Sequence, residues 1–400
     1  MTNDTAARLG DRSLFPGLAP RIYLNHGGIS PPSRPVVQAV HALLGDYEAA
    51  GSGAYLRWAG QRDRLRAELA RLVGAASASD IALEPNTSRG VSDVALCLRW
   101  RAGDRVVIFE GEFPANVTPW QQAAHTFGLE LVRLPIAPFL RSLDEGVASV
   151  ERALAGGGVR LVAVSAVQFQ TGLRMPLAAL GEACRRHGAR LFVDAVQAAG
   201  AVPLDVRASG VDFLAAGSHK WLMGLEGAGF LYASPAGVAD LEPRAAGWLS
   251  HVEGARFLFD GPGLLRTDRP IKSAIGWLEG GNVNAAGCAA LETSLGLIMS
   301  IGVEAIHAHV NRYHDALESG LSERGFRSER HSDPSARSCT LAVVPPGDRP
   351  LAWWSASLAE RGVACATPDG RLRFTPHWPN DLAEVSAVLA CIDEVLALPG

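Results

Sequence analysis

Two apolar runs, one ending in an acid and the other in an amine, constrain this chain more than any other feature. Leu191-Phe-Val leads into Asp194, and Phe213-Leu-Ala-Ala-Gly217 leads through Ser218 and His219 into Lys220. Short apolar runs bounded by glycines read as strands buried on both faces of a parallel sheet. In an open α/β sheet, ligands sit beyond the carboxyl ends of such strands. An acid and an amine delivered to that edge suit pyridoxal phosphate (PLP), the amine for its aldehyde and the carboxylate for its pyridine nitrogen. The lysine is conspicuous, because only two of the 37 Lys and Arg residues are lysine, Lys220 and Lys272. An ammonium is costly to desolvate, so a lysine kept inside an apolar stretch reads as chemistry. The plain alternative is a lysine at a strand end with its head in solvent. Lys272, after a polar proline-containing loop, reads as a solvated charge.

Composition bounds the rest. A chain of 400 residues with 48% hydrophobic content can bury a large core, and domain-size priors suggest roughly two domains. The formal net charge of −4 gives no reason to expect nucleic acid or an anionic membrane as partner. No apolar run approaches the ~20 residues of a spanning helix, and the polar Met1–Thr5 start lacks a signal-peptide core. The six cysteines, Cys97, Cys184, Cys288, Cys339, Cys365 and Cys391, show no CxxC spacing, which argues against a metal site or disulfide framework. The expectation is a cytoplasmic protein. Residues 1–20 read as an arm, 21–285 as a large α/β domain with a mainly parallel sheet, and 286–400 as a smaller α+β domain, with 286–302 as the linking helix.

Several residues read two ways. His26 stands before Gly27 and Gly28, which let the backbone approach a ligand or simply form a turn. Thr87 and Ser88 open a helix, where hydroxyls cap and where an anion can also sit. Phe113 is either an aromatic face for a cationic ring or a loop residue tucked into the core. Arg373 suits bidentate capture of a carboxylate, with Arg371 as the solvated strand-edge charge.

The segments Phe192–Gly200, Gly217–Gly224 and Gly227–Tyr232 resemble the class V aminotransferase family of fold-type I PLP enzymes. That group includes cysteine desulfurases, kynureninase, isopenicillin N epimerase and the C–S lyase of ergothioneine synthesis. The likeness runs from Tyr23 to about Asn380. It implies that Lys220 binds the cofactor and then acts as base, with Asp194 beside the pyridine nitrogen and Gln197 beside the phenolic oxygen. Thr87, Ser88, Ser218 and His219 would hold the phosphate, and Phe113 would stack on the ring. Gln168, with Gln170 as rival, would lie near the phenolic oxygen. Arg373 would bind the substrate carboxylate, with His26 at the edge of the site. Tyr55 and Arg57, in a glycine-hinged loop from Gly51 to Trp58, match a loop that reaches the neighbouring subunit's active site in a homodimer, where, like His26, they would contact the substrate. Asn282 stands where the family carries a threonine that touches the partner's phosphate. Thr375 and Trp378 also depart from the usual residues.

The Tyr23-Leu-Asn-His-Gly-Gly28 opening and the Phe113-Pro loop resemble the lyase and epimerase branches. The expected chemistry is therefore elimination at the β-carbon of a cysteine-like or other β-substituted amino acid. A class V aminotransferase or an amino-acid epimerase is the alternative. A cysteine desulfurase is disfavoured, since Cys365 lies in an apolar run just ahead of Arg373, where a buried thiol is the common state. A binding protein without catalysis is disfavoured because Lys220, Asp194 and Arg373 are all present.

Overall fold

The structure is a computed structural model that describes residues 6–398. The start at Met1–Thr5, read above as polar and part of an arm, lies outside the described residues. Twelve strands are numbered along the described residues. β1 (Ile22–Tyr23) stands apart from the central sheet. That sheet contains β2 (Ile81–Glu84), β3 (Arg105–Phe109), β4 (Glu130–Leu134), β5 (Val159–Ser165), β6 (Arg190–Asp194), β7 (Phe213–Gly217) and β8 (Gly229–Ala233). Its order is β2-β8-β7-β6-β5-β3-β4. β8 runs antiparallel to both neighbours, and the remaining pairings are parallel.

The apolar runs do not alternate because both faces of the sheet are covered. Val107, Val162, Val193 and Leu214 enter one core, while Val106, Leu161, Phe192 and Phe213 enter another on the opposite face. β4 lies outside β3, whereas β5, β6 and β7 follow on its other side. The order therefore reverses between β3 and β5, which opens a crevice beyond Phe109 and Ser165.

A second sheet of β9 (Arg327–Ser328), β10 (Leu341–Val344) and β12 (Leu372–Phe374) is antiparallel. The remaining strand, β11 (Val363–Ala364), pairs in parallel with β1. Ile22 and Leu24 share a core with Tyr313, Trp354 and Phe374. The beginning of the chain is thus stitched into its last third. The helix Ala285–Ile301 meets Val303–Glu323 at Gly302, whose φ is +90°. Among the described residues no single helix is long and apolar enough to cross a membrane.

One local expectation is corrected. Gly51–Trp58, read as a glycine-hinged loop, is a short 3-10 turn, Gly51–Ala54, running directly into the helix Tyr55–Val73. Trp58 is buried with Leu43, Ala54 and Ala289, and that burial extends the helix back to Tyr55.

Candidate active site

Asp194 and Lys220 meet at the carboxyl edge of the sheet because β6 and β7 are neighbours, with Asp194 opposite Ala215. Asp194 is buried; its Oδ1 accepts from the Val196 amide at 3.0 Å, and Oδ2 has no partner. Burial pushes its carboxyl up to about 6, against the pull of the Val196 amide and of Lys220. Burial pushes the Lys220 amine down to about 8, with the Asp194 carboxylate opposing that shift and Arg373 adding to it. The amine is therefore poised to exchange a proton near neutral pH, and Asp194 Oδ2 is an acceptor awaiting a donor.

Beside the lysine, Thr87 opens the helix Thr87–Cys97, and its Oγ1 accepts from the Gly217 amide at 2.9 Å. A Cβ on Gly217 would lie 3.2 Å from His219 Nδ1 and 3.4 Å from Thr87 Oγ1. The missing side chain leaves a notch rimmed by a hydroxyl, an imidazole and a helix N-terminus, groups suited to an anion. Burial lowers the His219 pKa, Lys220 lowers it further, and Glu226 opposes. Ser218 is buried and gives its hydroxyl hydrogen to the Leu225 carbonyl. Ser88 is exposed. The unpaired Asp194 oxygen, the lysine amine and this notch together fit the pyridine nitrogen, aldehyde and phosphate of PLP.

Phe113 faces the lysine, with Lys220 Nζ 5.4 Å from its ring centroid. Phe169 meets it edge-on at 5.4 Å, so Phe113 is held at the mouth, not in the core. Arg373 is buried in β12, and Nη1 donates to the Phe169 carbonyl at 3.0 Å. Its Nε has no partner, and burial pushes its pKa down to about 10. A desolvated guanidinium held only by a carbonyl is a receptor for a carboxylate. Arg371 is already spent, on Glu329 and on the Asp369 carbonyl.

The two glutamines serve the scaffold. Gln197 Nε2 donates to the Gly27 carbonyl at 3.0 Å and Oε1 accepts from the Trp221 indole at 2.8 Å, leaving one amide hydrogen for another acceptor. Gln168 gives both amide hydrogens away, to the Gly111 carbonyl at 2.8 Å and to Gln170 Oε1 at 2.9 Å. Its own oxygen accepts from the Gln170 and Thr171 amides. Gln170 in turn reaches Asp369, tying this loop to the C-terminal part of the chain. His26 is turned inward at 1% exposure, with Nδ1 2.8 Å from Ser30 Oγ and its ring 5.5 Å from that of His377.

Sequence reasoning passed over three residues. Glu112 accepts from the Ser165 amide at 2.7 Å and from its hydroxyl; burial, with Asp194 nearby, pushes its carboxyl up to about 7. Ser30 and His377 contact the main chain around Lys220. None of the three belongs to a recognisable local pattern; only the preceding or following motif residues flagged their segments.

Other expected residues lie elsewhere in this chain. Tyr55 stacks on Phe259 at 5.7 Å, and Arg57 pairs with Asp46 at 2.6 Å. Asn282 is exposed and lines a cavity of about 260 Å³ with Glu84, Arg89 and Asn284. Lys272 is half-buried, which lowers its pKa, so it is not the freely solvated charge expected.

The aminotransferase class-V family profile matches residues 22–367. A probable cysteine desulfurase of Methanothermobacter thermautotrophicus is 32% identical, over 96% of this chain and 97% of its own length. The isopenicillin N epimerase of Streptomyces clavuligerus is 35% identical over 180 residues, 44% of each chain. The solved complex of the cystine C–S lyase C-DES with its product cysteine persulfide superposes with a TM-score of 0.85 at 24% identity, covering 96% of this chain and 100% of that one, a likeness of fold.

Replacing Arg373 separates its role from that of its neighbour. Arg373→Ala is expected to weaken binding of a carboxylate ligand by roughly 2–5 kcal/mol, with PLP still held. Arg371→Ala, which loses only its Glu329 pairing, is expected to stay within a few-fold of wild type. Titration of amino acids against the visible spectrum of the PLP-loaded protein measures both. The reverse ranking would assign the carboxylate to Arg371.

Proposed function

The chain belongs to the aminotransferase class-V family, PLP-dependent enzymes acting on amino acids, and we propose that it eliminates a β-substituent from a cysteine-like amino acid. One observation carries the reading: Arg373, buried without a carboxylate, shares a site with an amine pushed to about 8.

When bound, PLP supplies an electron sink for the pair left at the substrate α-carbon. Arg373 takes the substrate carboxylate and fixes which bond faces the lysine. Lys220, its amine near neutral pH in its proton affinity, takes the α-proton at Nζ. Asp194, through its unpaired Oδ2, would hold a proton on the ring nitrogen. Thr87, the Gly217 notch and His219 would anchor the phosphate, and Phe113 would shield the ring from water. The pair left at the α-carbon then forms the Cα–Cβ double bond as the β-substituent leaves with its own bonding pair, and water hydrolyses the released enamine to keto acid and ammonia. The net change takes one amino acid and one water to a thiol, a keto acid and ammonia, with no oxidant or reductant.

A protein thiol is not needed for this route, which matters because burial raises the pKa of Cys97, Cys184, Cys288, Cys339 and Cys365. Cys365, nearest in sequence to Arg373, is pushed up to about 12, a poor start for a persulfide-accepting nucleophile. The epimerase likeness, 35% identity over 180 residues, favours α-proton removal followed by reprotonation as a second reading.

Incubating the enzyme with cystine, S-alkylcysteines and unsubstituted amino acids distinguishes the readings. Elimination predicts keto acid and ammonia in equal amounts, only from β-substituted substrates, falling by on the order of 10³-fold in Lys220→Ala. Amino transfer to an added keto acid without ammonia, or inversion of the α-carbon alone, would refute it.

A homodimer is the proposed assembly. Leu44, Leu56, Leu258, Phe259 and Leu265 are all more than half exposed, and the Tyr55 helix and Asn282 loop carry the residues expected to meet a partner. Large apolar side chains left exposed in this way are candidates for an association surface. Sedimentation is expected to give twice the chain mass of 42.2 kDa. A fully active monomer would contradict the assembly.

A further inference from the structure

Three consecutive carbonyls around the lysine are each captured by a group from a distant part of the chain. The His219 carbonyl accepts from the Ser30 amide at 2.8 Å. The Lys220 carbonyl accepts from the Ser30 hydroxyl at 2.6 Å, and the Trp221 carbonyl lies 2.9 Å from His377 Nε2. Buried donors and acceptors fix the proton positions. His377 Nδ1 accepts from the Trp378 amide at 2.7 Å, so Nε2 carries the hydrogen and donates. The single hydroxyl hydrogen of Ser30 goes to Lys220, so in the 2.8 Å contact with His26 Nδ1 the imidazole is the donor.

The turn so held is not one that the chain adopts without support. Met223, whose amide also donates to the Lys220 carbonyl at 3.0 Å, has φ +54°, in the left-handed region where side chains are disfavoured. Gly200 has φ +101°, and a Cβ there would lie 2.5 Å from the Trp221 carbonyl oxygen, so even a methyl group would displace this turn. The segment that carries Ser30 also holds the chain just past the strand that bears Arg373. The His26 amide donates to the Thr375 carbonyl at 3.1 Å, and the Gly27 amide to Thr375 Oγ1 at 3.0 Å. Arg373, Thr375 and His377 follow one another along one buried segment.

We propose that His26, Ser30 and His377 are positioning residues that lock the main chain of Lys220 to the strand carrying Arg373, keeping the reacting amine in register with the carboxylate-binding guanidinium. His26 therefore acts on the lysine through Ser30 and does not touch substrate. Burial lowers the pKa of both histidines, His377 to about 4, so each stays neutral and keeps the tautomer its partners require. The inference rests on Lys220 being the cofactor lysine.

The test is PLP capture by the apoprotein, followed in stopped flow as growth of the visible band, alongside steady-state kinetics and thermal melting. Ser30→Ala and His26→Leu are expected to slow capture at least tenfold and to lower kcat with little change in KM, since Arg373 is untouched. His26→Asn, which keeps a donor at the Nδ1 position, is expected to capture PLP within threefold of wild type. Should His26→Leu fail to fold, Ser30→Ala, which removes a single oxygen, decides alone. Undiminished capture in Ser30→Ala, or His26→Asn as slow as His26→Leu, overturns the inference. Wild-type apoprotein that captures no PLP overturns the cofactor assignment and this inference with it.

Discussion

Desolvation without full compensation is the constraint from which the site follows. Asp194 and Arg373 are buried and Lys220 partly so, and among the described residues each keeps an unmet demand: an oxygen without a donor, an amine pushed toward neutrality, a guanidinium without a carboxylate. A fold that sought stability alone would pair such groups or replace them with apolar ones, since burying a charge costs several kcal/mol unless it is well partnered. Arg371, two residues before Arg373 and just outside its strand, shows the paired alternative with Glu329. The unmet demands are complementary to a ring nitrogen, an aldehyde and an α-carboxylate, so ligand binding restores the partners that folding withheld.

Sheet topology brings these groups together. Parallel β5, β6 and β7 end on one edge, so Ser165, Asp194 and Gly217 open onto the same crevice. Because β8 runs antiparallel to β7, the connection between them returns at the same edge, and Lys220 sits in that return. Arg373 arrives from a separate sheet, through a strand that Leu24, His26 and Gly27 hold by main-chain and side-chain hydrogen bonds. The placing of arginine against lysine therefore depends on segments near both ends of the chain as well as on the Phe169 and Gln170 contacts from the loop after β5.

How much of this was legible in the sequence follows from range. Asp194 announced itself by ending an apolar run and Lys220 by following one after Ser218 and His219, a signal contained in a few residues. Thr87 at a helix start and Phe113 beside a proline were local signals of the same kind, and the fold class followed from apolar runs that read as buried parallel strands and from the family resemblance. Arg373 was legible as a residue type, but its lack of a carboxylate partner was not, because pairing is a property of packing. Gln168 looked available for a ligand until the loop around it closed on both its amide hydrogens. The Ser30 and His377 contacts join segments roughly 190 and 160 residues apart, and no periodicity encodes such a pair. Trp58 moved a helix start into a stretch whose glycines suggested a hinge, a case of burial overriding local propensity.

The most direct test exploits the scarcity of lysine in this chain. Reducing the PLP-loaded protein with borohydride and sequencing the labelled peptides by mass spectrometry locates the cofactor, because only Lys220 and Lys272 can carry it through a side chain. One PLP per chain, on the peptide containing Lys220, is the predicted result. Label on Lys272, or none on either lysine, would contradict it.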